Sequence, residues 1–207
     1  MAWIDAFRRR SGNSDPEVPL FPLNTVLFPG GILPLKVFEQ RYLDMAAACM
    51  KEDRPFGICL IARGQETGIA AEPESIGTLA RIEHWEMPQL GILMLTVRGD
   101  RRFRVRSQRV ADGQLVRAQI ELLAEPVVPL PPARQPLLPL LRRVAKDLGP
   151  ERMPEPHRFD DAAWVGYRLT EILPVQNLAK QKLLELDDPL TRLEILQRYL
   201  DQRQLLG

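Results

Sequence analysis

Histidine and cysteine are scarce in this 207-residue chain, with two of each: His84 and His157, Cys49 and Cys59. Zinc sites gather thiolates and imidazoles at short fixed spacings. The two cysteines have nine residues between them and form no CxxC. They read as small core residues of a reducing compartment rather than as ligands or a disulfide framework. An excess of one charge is also missing: 28 Lys and Arg against 27 Asp and Glu leave a formal +1. No global field therefore draws nucleic acid or an acidic membrane, and any charge-driven partner must be recruited by a local patch. No run approaches the roughly 20 apolar residues of a membrane span. The opening "MAWIDAFRRRSGNSDPEV" has no signal-peptide core and carries its arginines after its apolar residues. The expectation is a cytoplasmic protein with no cofactor, no metal and no membrane contact. Within that opening Trp3, Ile4 and Phe7 recur at helical spacing; a frayed or locally docked end explains them with fewer assumptions than a membrane or partner anchor.

What is present begins with "PLFPLNTVLFPGGILPLKVFEQRY", an apolar run containing Pro19, Pro22, Pro29 and Pro34. Proline is excluded from helix interiors and central strands. The short runs "LFPL" and "ILPL" around "FPGG" therefore predict two short strands or edge segments with a tight turn between them. From Val37 the period lengthens: Val37, Phe38, Tyr42, Met45, Ala46 and Cys49 mark one face of an amphipathic helix, which should stop near Arg54-Pro55. Five segments from "FGICLIAR" to "QLVRAQIELL" follow at intervals of about ten residues, the spacing of an antiparallel barrel or sandwich. In "RFRVRSQRV" the alternation puts Phe103 and Val105 on a buried face and Arg102, Arg104 and Arg106 on a wet one.

Glu125 to Pro139 holds six prolines in fifteen residues and favours an extended linker. Helical periodicity then returns, with Asp188 as a predicted N-cap, Pro189 at the first helical position, and Leu190, Leu193, Leu196 and Leu200 as an apolar stripe. The predicted organisation is a flexible extension over 1–17, a β-barrel domain with one inserted helix over 18–124, a Pro-rich linker over 125–139 and a helical subdomain over 140–207. The fold class is α+β.

Two separated segments carry a family resemblance. "VPLFPLNTVLFPGGILPLKVFEQRY", continued by "IGTLARI" and "VRGDRRFRV", resembles the opening of the N-terminal, substrate-binding domain of Lon protease. "KQKLLELDDPLTRLEILQRYL" is similar to that family's closing helical pattern, so the resemblance spans about Val18 to Leu200. It implies a PUA-like β pseudo-barrel followed by a helical bundle. The sequence has no G-x-x-x-x-G-K-[ST] to hold nucleotide phosphates. Ser11, Ser14, Ser75 and Ser107 lie in no segment resembling the Lon protease active site, so proteolysis is not carried across.

The resemblance thus implies a non-catalytic recognition module for unfolded or flexible polypeptide, acting alone or with a protease or chaperone. The expected mode is strand addition at an open barrel edge or capture of apolar side chains in a groove. Phe38, Glu39, Arg41 and Tyr42 at the helix start, together with Trp85, are the expected binding residues. The alternative is an RNA-binding protein using Arg102, Arg104 and Arg106, since PUA-like domains elsewhere bind RNA; the scarcity of aromatics beside those arginines weighs against it. The carboxylate pairs Glu72/Glu74, Asp160/Asp161 and Asp187/Asp188 fall at turns and helix starts, where a negative charge favours the helix dipole. An enzyme with an unfamiliar site ranks last.

Overall fold

The computed structural model describes residues 16–205. Trp3, Ile4 and Phe7, and with them nearly all of the expected 1–17 extension, lie outside the described residues. The strands are β1 (Glu17–Leu23), β2 (Ile32–Val37), β3 (Phe56–Arg63), β4 (Glu72–Pro73), β5 (Ile76–Gln89), β6 (Ile92–Val110) and β7 (Val116–Leu122). The helices are α1 (Gln40–Glu52), α2 (Leu138–Arg152), α3 (Ala162–Ile172), α4 (Asn177–Glu185) and α5 (Pro189–Gln202). The class is α+β, as the sequence predicts.

The sheet runs β1-β7-β6-β5-β3 and closes on itself, because β1 also pairs in parallel with β3 from Leu20↔Gly57 to Leu23↔Leu60. This ring is the pseudo-barrel. β1 uses residues 17–19 toward β7 and 20–23 toward β3. Each of its edges is thus only part-partnered, the setting in which a sheet tolerates Pro19 and Pro22. β2 lies off the ring and, among the described residues, has β6 as its one strand neighbour, a setting that tolerates Pro34. Leu79, Phe103 and Ile120 are fully buried in one core cluster and Phe56 in a second, with Tyr42 and Met45 of α1, and each contributes roughly 1.5–3 kcal/mol by leaving water.

β6 is 19 residues long and changes partners midway. Its first half pairs with β2 and β5, and its second half with β5 and then β7. At the exchange point sits Gly99, and the Phe28–Gly31 turn is bonded onto it: Gly30 N–H donates to Gly99 O at 2.7 Å and Gly99 N–H to Gly31 O at 2.8 Å. A Cβ on Gly99 would stand 2.1 Å from Phe28 O, so only glycine lets the turn approach. On the turn's other side Arg168 of α3 donates to Pro29 O at 2.7 Å.

The helix predicted from Val37 begins at Gln40. Glu39 is its extended N-cap residue, and Val37 stays in β2, paired with Leu93. Sheet pairing overrides the helical period there. The proline-rich stretch is docked rather than free: Leu130 N–H donates to Asp160 O and Ala162 N–H to Val128 O, both at 2.7 Å. Pro132–Leu137 then coils into a 3-10 helix, consistent with proline's helical φ at first positions. Asp188 caps α5 as predicted, accepting from Leu190 N–H and Thr191 N–H. Leu193, Leu196 and Leu200 are buried against Val165, Leu169 and Leu141 in the bundle core.

Candidate functional site

Two of the three predicted arginines stay near solvent and the third does not. Arg102 is buried, a correction to the wet-face reading. Alternation places it correctly opposite Phe103, but the helical bundle covers that opposite face. Its Nε donates to Glu125 at 2.7 Å, and its Nη1 donates to Leu184 O at 2.8 Å and Leu186 O at 3.0 Å. Tyr167 Oη donates to the other oxygen of Glu125 at 2.7 Å. The equally buried Arg192 lies over the Tyr167 ring at 4.3 Å and donates to Leu183 O at 2.8 Å and to Leu186 O. This cluster joins barrel to bundle. Beside it Glu171 accepts from Arg168 at 3.0 Å, and burial pushes the Glu171 carboxyl up to about 7. Arg104 and Arg106 share Glu121 at 3.6 and 2.7 Å, and Arg109 pairs with Glu17 at 3.0 Å. The counter-charges come from neighbouring strands, Glu121 of β7 and Glu17 of β1, and each carboxylate serves two arginines, Arg117 being the second on Glu17.

The residues predicted at the helix start divide in the same way. Arg41 and Tyr42 are buried, a second correction. Tyr42 stacks on Phe21 with ring centroids 4.0 Å apart. Arg41 donates to Gln114 O at 2.9 Å and to Glu39 at 3.0 Å. Glu39 also accepts from Gly68 N–H at 3.3 Å, so the trio ties three loops together. Phe38 is left outside, 53% exposed.

Trp85, also 53% exposed, belongs to a different construction. β5 pairs with β3 only through Thr78, Leu79 and Ala80. From Ile82 to Gln89 it has β6 on one side and, among the described residues, no strand on the other. The β5–β6 hairpin thus projects beyond the ring and carries Trp85, Met87 and Leu90, all exposed. Pro88 in its outer part fits a strand without a second neighbour. By register Trp85 faces the same side as Leu95, the side on which α1 packs. Between that overhang and the end of α1 lies a groove of about 500 Å³, walled by Met50 and Asp53 on one side and Ile82, Glu83 and Trp85 on the other. Across its floor Arg98 pairs with Glu83, and Arg81 pairs with Asp100 at 3.3 Å.

A groove that sets Met50, Ile82 and Trp85 among charged side chains, beside a strand with no second strand neighbour among the described residues, can take an extended chain through main-chain hydrogen bonds and seat alternate side chains in the hollow. Of the residues expected to bind, the structure brings Trp85 alone to this groove. Sequence reasoning missed Met50, Asp53 and Ile82. The available signal was "HWEMPQLG", a strand pattern whose apolar residues are more numerous than one buried face needs. Among the described residues no three His, Cys, Asp or Glu side chains group as metal ligands, and no helix is long and apolar enough to cross a membrane.

Residues 17–202 match the family model of the ATP-dependent protease La (LON) substrate-binding domain. The crystal structure of a Lon N-terminal domain protein from Xanthomonas campestris is 38% identical, superposes with a TM-score of 0.74, and covers 89% of this chain and 98% of its own. A Lon protease of Cytophaga hutchinsonii is 26% identical over 202 residues, 89% of this chain and 24% of the relative. Protein cereblon of Danio rerio is 27% identical over 133 residues, 62% of this chain and 30% of the relative. The chain thus spans less than a third of the length of either curated relative.

Proposed function

The chain belongs to the LON substrate-binding domain family, and on that premise we propose that it is a recognition module which holds flexible polypeptide segments in the groove between α1 and the overhanging part of β5. The observation that carries this reading is the stretch of β5 from Ile82 to Gln89, which among the described residues has a strand neighbour on one side alone, beside an exposed Trp85. A client segment adds as a strand to that edge and sets its apolar side chains against Trp85, Ile82 and Met50. The pairs Arg98–Glu83 and Arg81–Asp100 keep the floor polar and close to neutral, which suits clients of varied charge. Phe38 stands at the end of β2, which pairs with β6 from Ile32↔Arg98 to Val37↔Leu93, and extends the apolar surface toward the hairpin tip. A protease or chaperone is the class of partner to which such a module would hand its client.

The test is a titration of fluorescently labelled, reduced and carboxymethylated α-lactalbumin, a permanently unfolded probe, against the native chain and its Trp85→Ala variant. Weakening by about tenfold in W85A, the range of an aromatic anchor in a groove, is the expected result; equal affinity would remove the groove from consideration. A single-stranded RNA probe run alongside addresses the alternative. Binding that falls steeply with salt and is abolished by Arg104→Ala with Arg106→Ala would favour RNA instead.

A further inference from the structure

A separate hollow lies in the helical bundle and shares no lining residue with the groove at β5. It holds about 420 Å³ between the last turns of α2 and the segment 153–159 that follows, a volume in the range of small-molecule sites. Part of its lining is apolar: Ala145 and Met153 are buried, and the half-buried Phe159 meets Trp164 edge-on with ring centroids 5.2 Å apart. His157 stands beside them, its ring 5.3 Å from that of Phe159. A carbonyl only accepts, so the His157 Nε2 carries the hydrogen that Met153 O takes at 3.0 Å.

Two cations complete the lining. Arg142 and Lys146 stand one helical turn apart on α2, and among the described residues neither has an ion pair or a side-chain hydrogen bond. Arg142 lies over the Phe159 ring, its guanidinium carbon 4.2 Å from the centroid. The ring orients the guanidinium, and the N–H donors at its rim stay available to a bidentate acceptor. Glu155 is the one carboxylate in the lining, and it too has no ion pair among the described residues. The last carbonyls of α2 add a partial negative charge at this end of the helix. A doubly charged phosphate would meet both of these, whereas a single carboxylate is a load that two cations can hold.

We propose that this hollow binds one carboxylate joined to an apolar group, with the carboxylate on the Arg142 guanidinium and the Lys146 ammonium and the apolar group against Ala145, Met153 and Phe159. Two sources supply that chemistry: a free organic acid, or the last residue of a polypeptide that ends in an apolar side chain.

The test is an NMR titration of the full-length chain with hydrocinnamate and with its neutral amide, hydrocinnamamide. The acid should shift the Ala145 and Met153 amides and the His157 and Phe159 ring signals to saturation, and the amide should not. Arg142→Gln should weaken the acid about tenfold, as expected for loss of a charged hydrogen-bond donor, and Glu155→Gln should tighten it about two- to threefold by removing an opposing surface charge. All three side chains Arg142, Lys146 and Glu155 are exposed, so an unchanged urea midpoint should accompany both variants. No saturable shift, equal binding of acid and amide, or an affinity that neither variant moves would each overturn the proposal. The tripeptide acetyl-diglycyl-phenylalanine, run with its end free and amidated, separates the sources. A free end that binds more tightly than hydrocinnamate supports the site as a receptor for chain ends, and one that binds more weakly supports it as a receptor for free acids; saturable binding of the amidated tripeptide equal to that of the free one would count against a carboxylate site altogether.

Discussion

The barrel–bundle junction and the β5–β6 overhang are built on opposite principles. At the junction, strongly polar side chains are withdrawn from water and given partners. Arg102 and Arg192 are nearly inaccessible, and between them they take carbonyls from Leu183 to Leu186, the Glu125 carboxylate and the Tyr167 ring. At the overhang the polarity is reversed: Trp85, Met87 and Leu90 are apolar and face water, on a hairpin whose β5 arm has no second strand neighbour from Ile82 to Gln89 among the described residues. A buried ion pair fixes one geometry, since breaking it strands a charge in a poor solvent. An exposed apolar edge loses little if its surroundings rearrange. Rigidity and receptivity are thus placed in different parts of one molecule, and β6 runs through both.

The largest expected effect breaks the junction. Arg102→Ala takes the guanidinium partner from Glu125 and leaves the Leu184 carbonyl without its side-chain donor, and should cost about 3–5 kcal/mol, read as a fall in the urea midpoint; a loss below 1 kcal/mol would mean the cluster is not what holds the bundle. Gly99→Ala forces a methyl into Phe28 O and should cost about 1–3 kcal/mol by overpacking, by the same measurement. Trp85→Ala sharpens the contrast from the other side, leaving stability within about 0.5 kcal/mol, as surface changes do, while removing about tenfold in affinity for the unfolded probe. The smallest effect is a slope. With its carboxyl at about 7 in the fold against an ordinary 4.5, Glu171 binds more protons folded than unfolded between those values. Stability from this group is full below pH 4.5 and is lost as pH rises toward 7. Thermal melts at pH 5 and pH 7.5 should show that fall in the native chain, and Glu171→Gln should flatten it.

Much of the barrel could be read from the chain because the relevant signals are local. Prolines in short apolar runs mark strands with part-used edges, and Asp188-Pro189 starts a helix from its own side chain. What escaped is what depends on the third dimension. Alternation sets Arg102 opposite Phe103, but whether that side meets water depends on α4 and Glu125, which are distant in sequence. Tyr42 and Arg41 carry amphipathic character that fits either a binding face or an inner clasp, and the stacking of Tyr42 on Phe21 decides it. The groove is hardest of all to foresee, since it arises because β5 outruns β3, a mismatch of strand lengths that neither strand encodes alone.

Ring closure by β1 has a consequence for synthesis. β1, the first strand among the described residues, waits for β7, about a hundred residues later, to satisfy part of one edge. While the ribosome is still delivering that stretch, the β5–β6 hairpin can form from neighbouring residues, but Glu17, Val18 and Pro19 remain an unpaired ribbon on an unfinished cylinder. Non-local pairing of this kind is slow and exposed to aggregation. A domain that handles other proteins' loose segments therefore passes through an interval in which it displays one of its own.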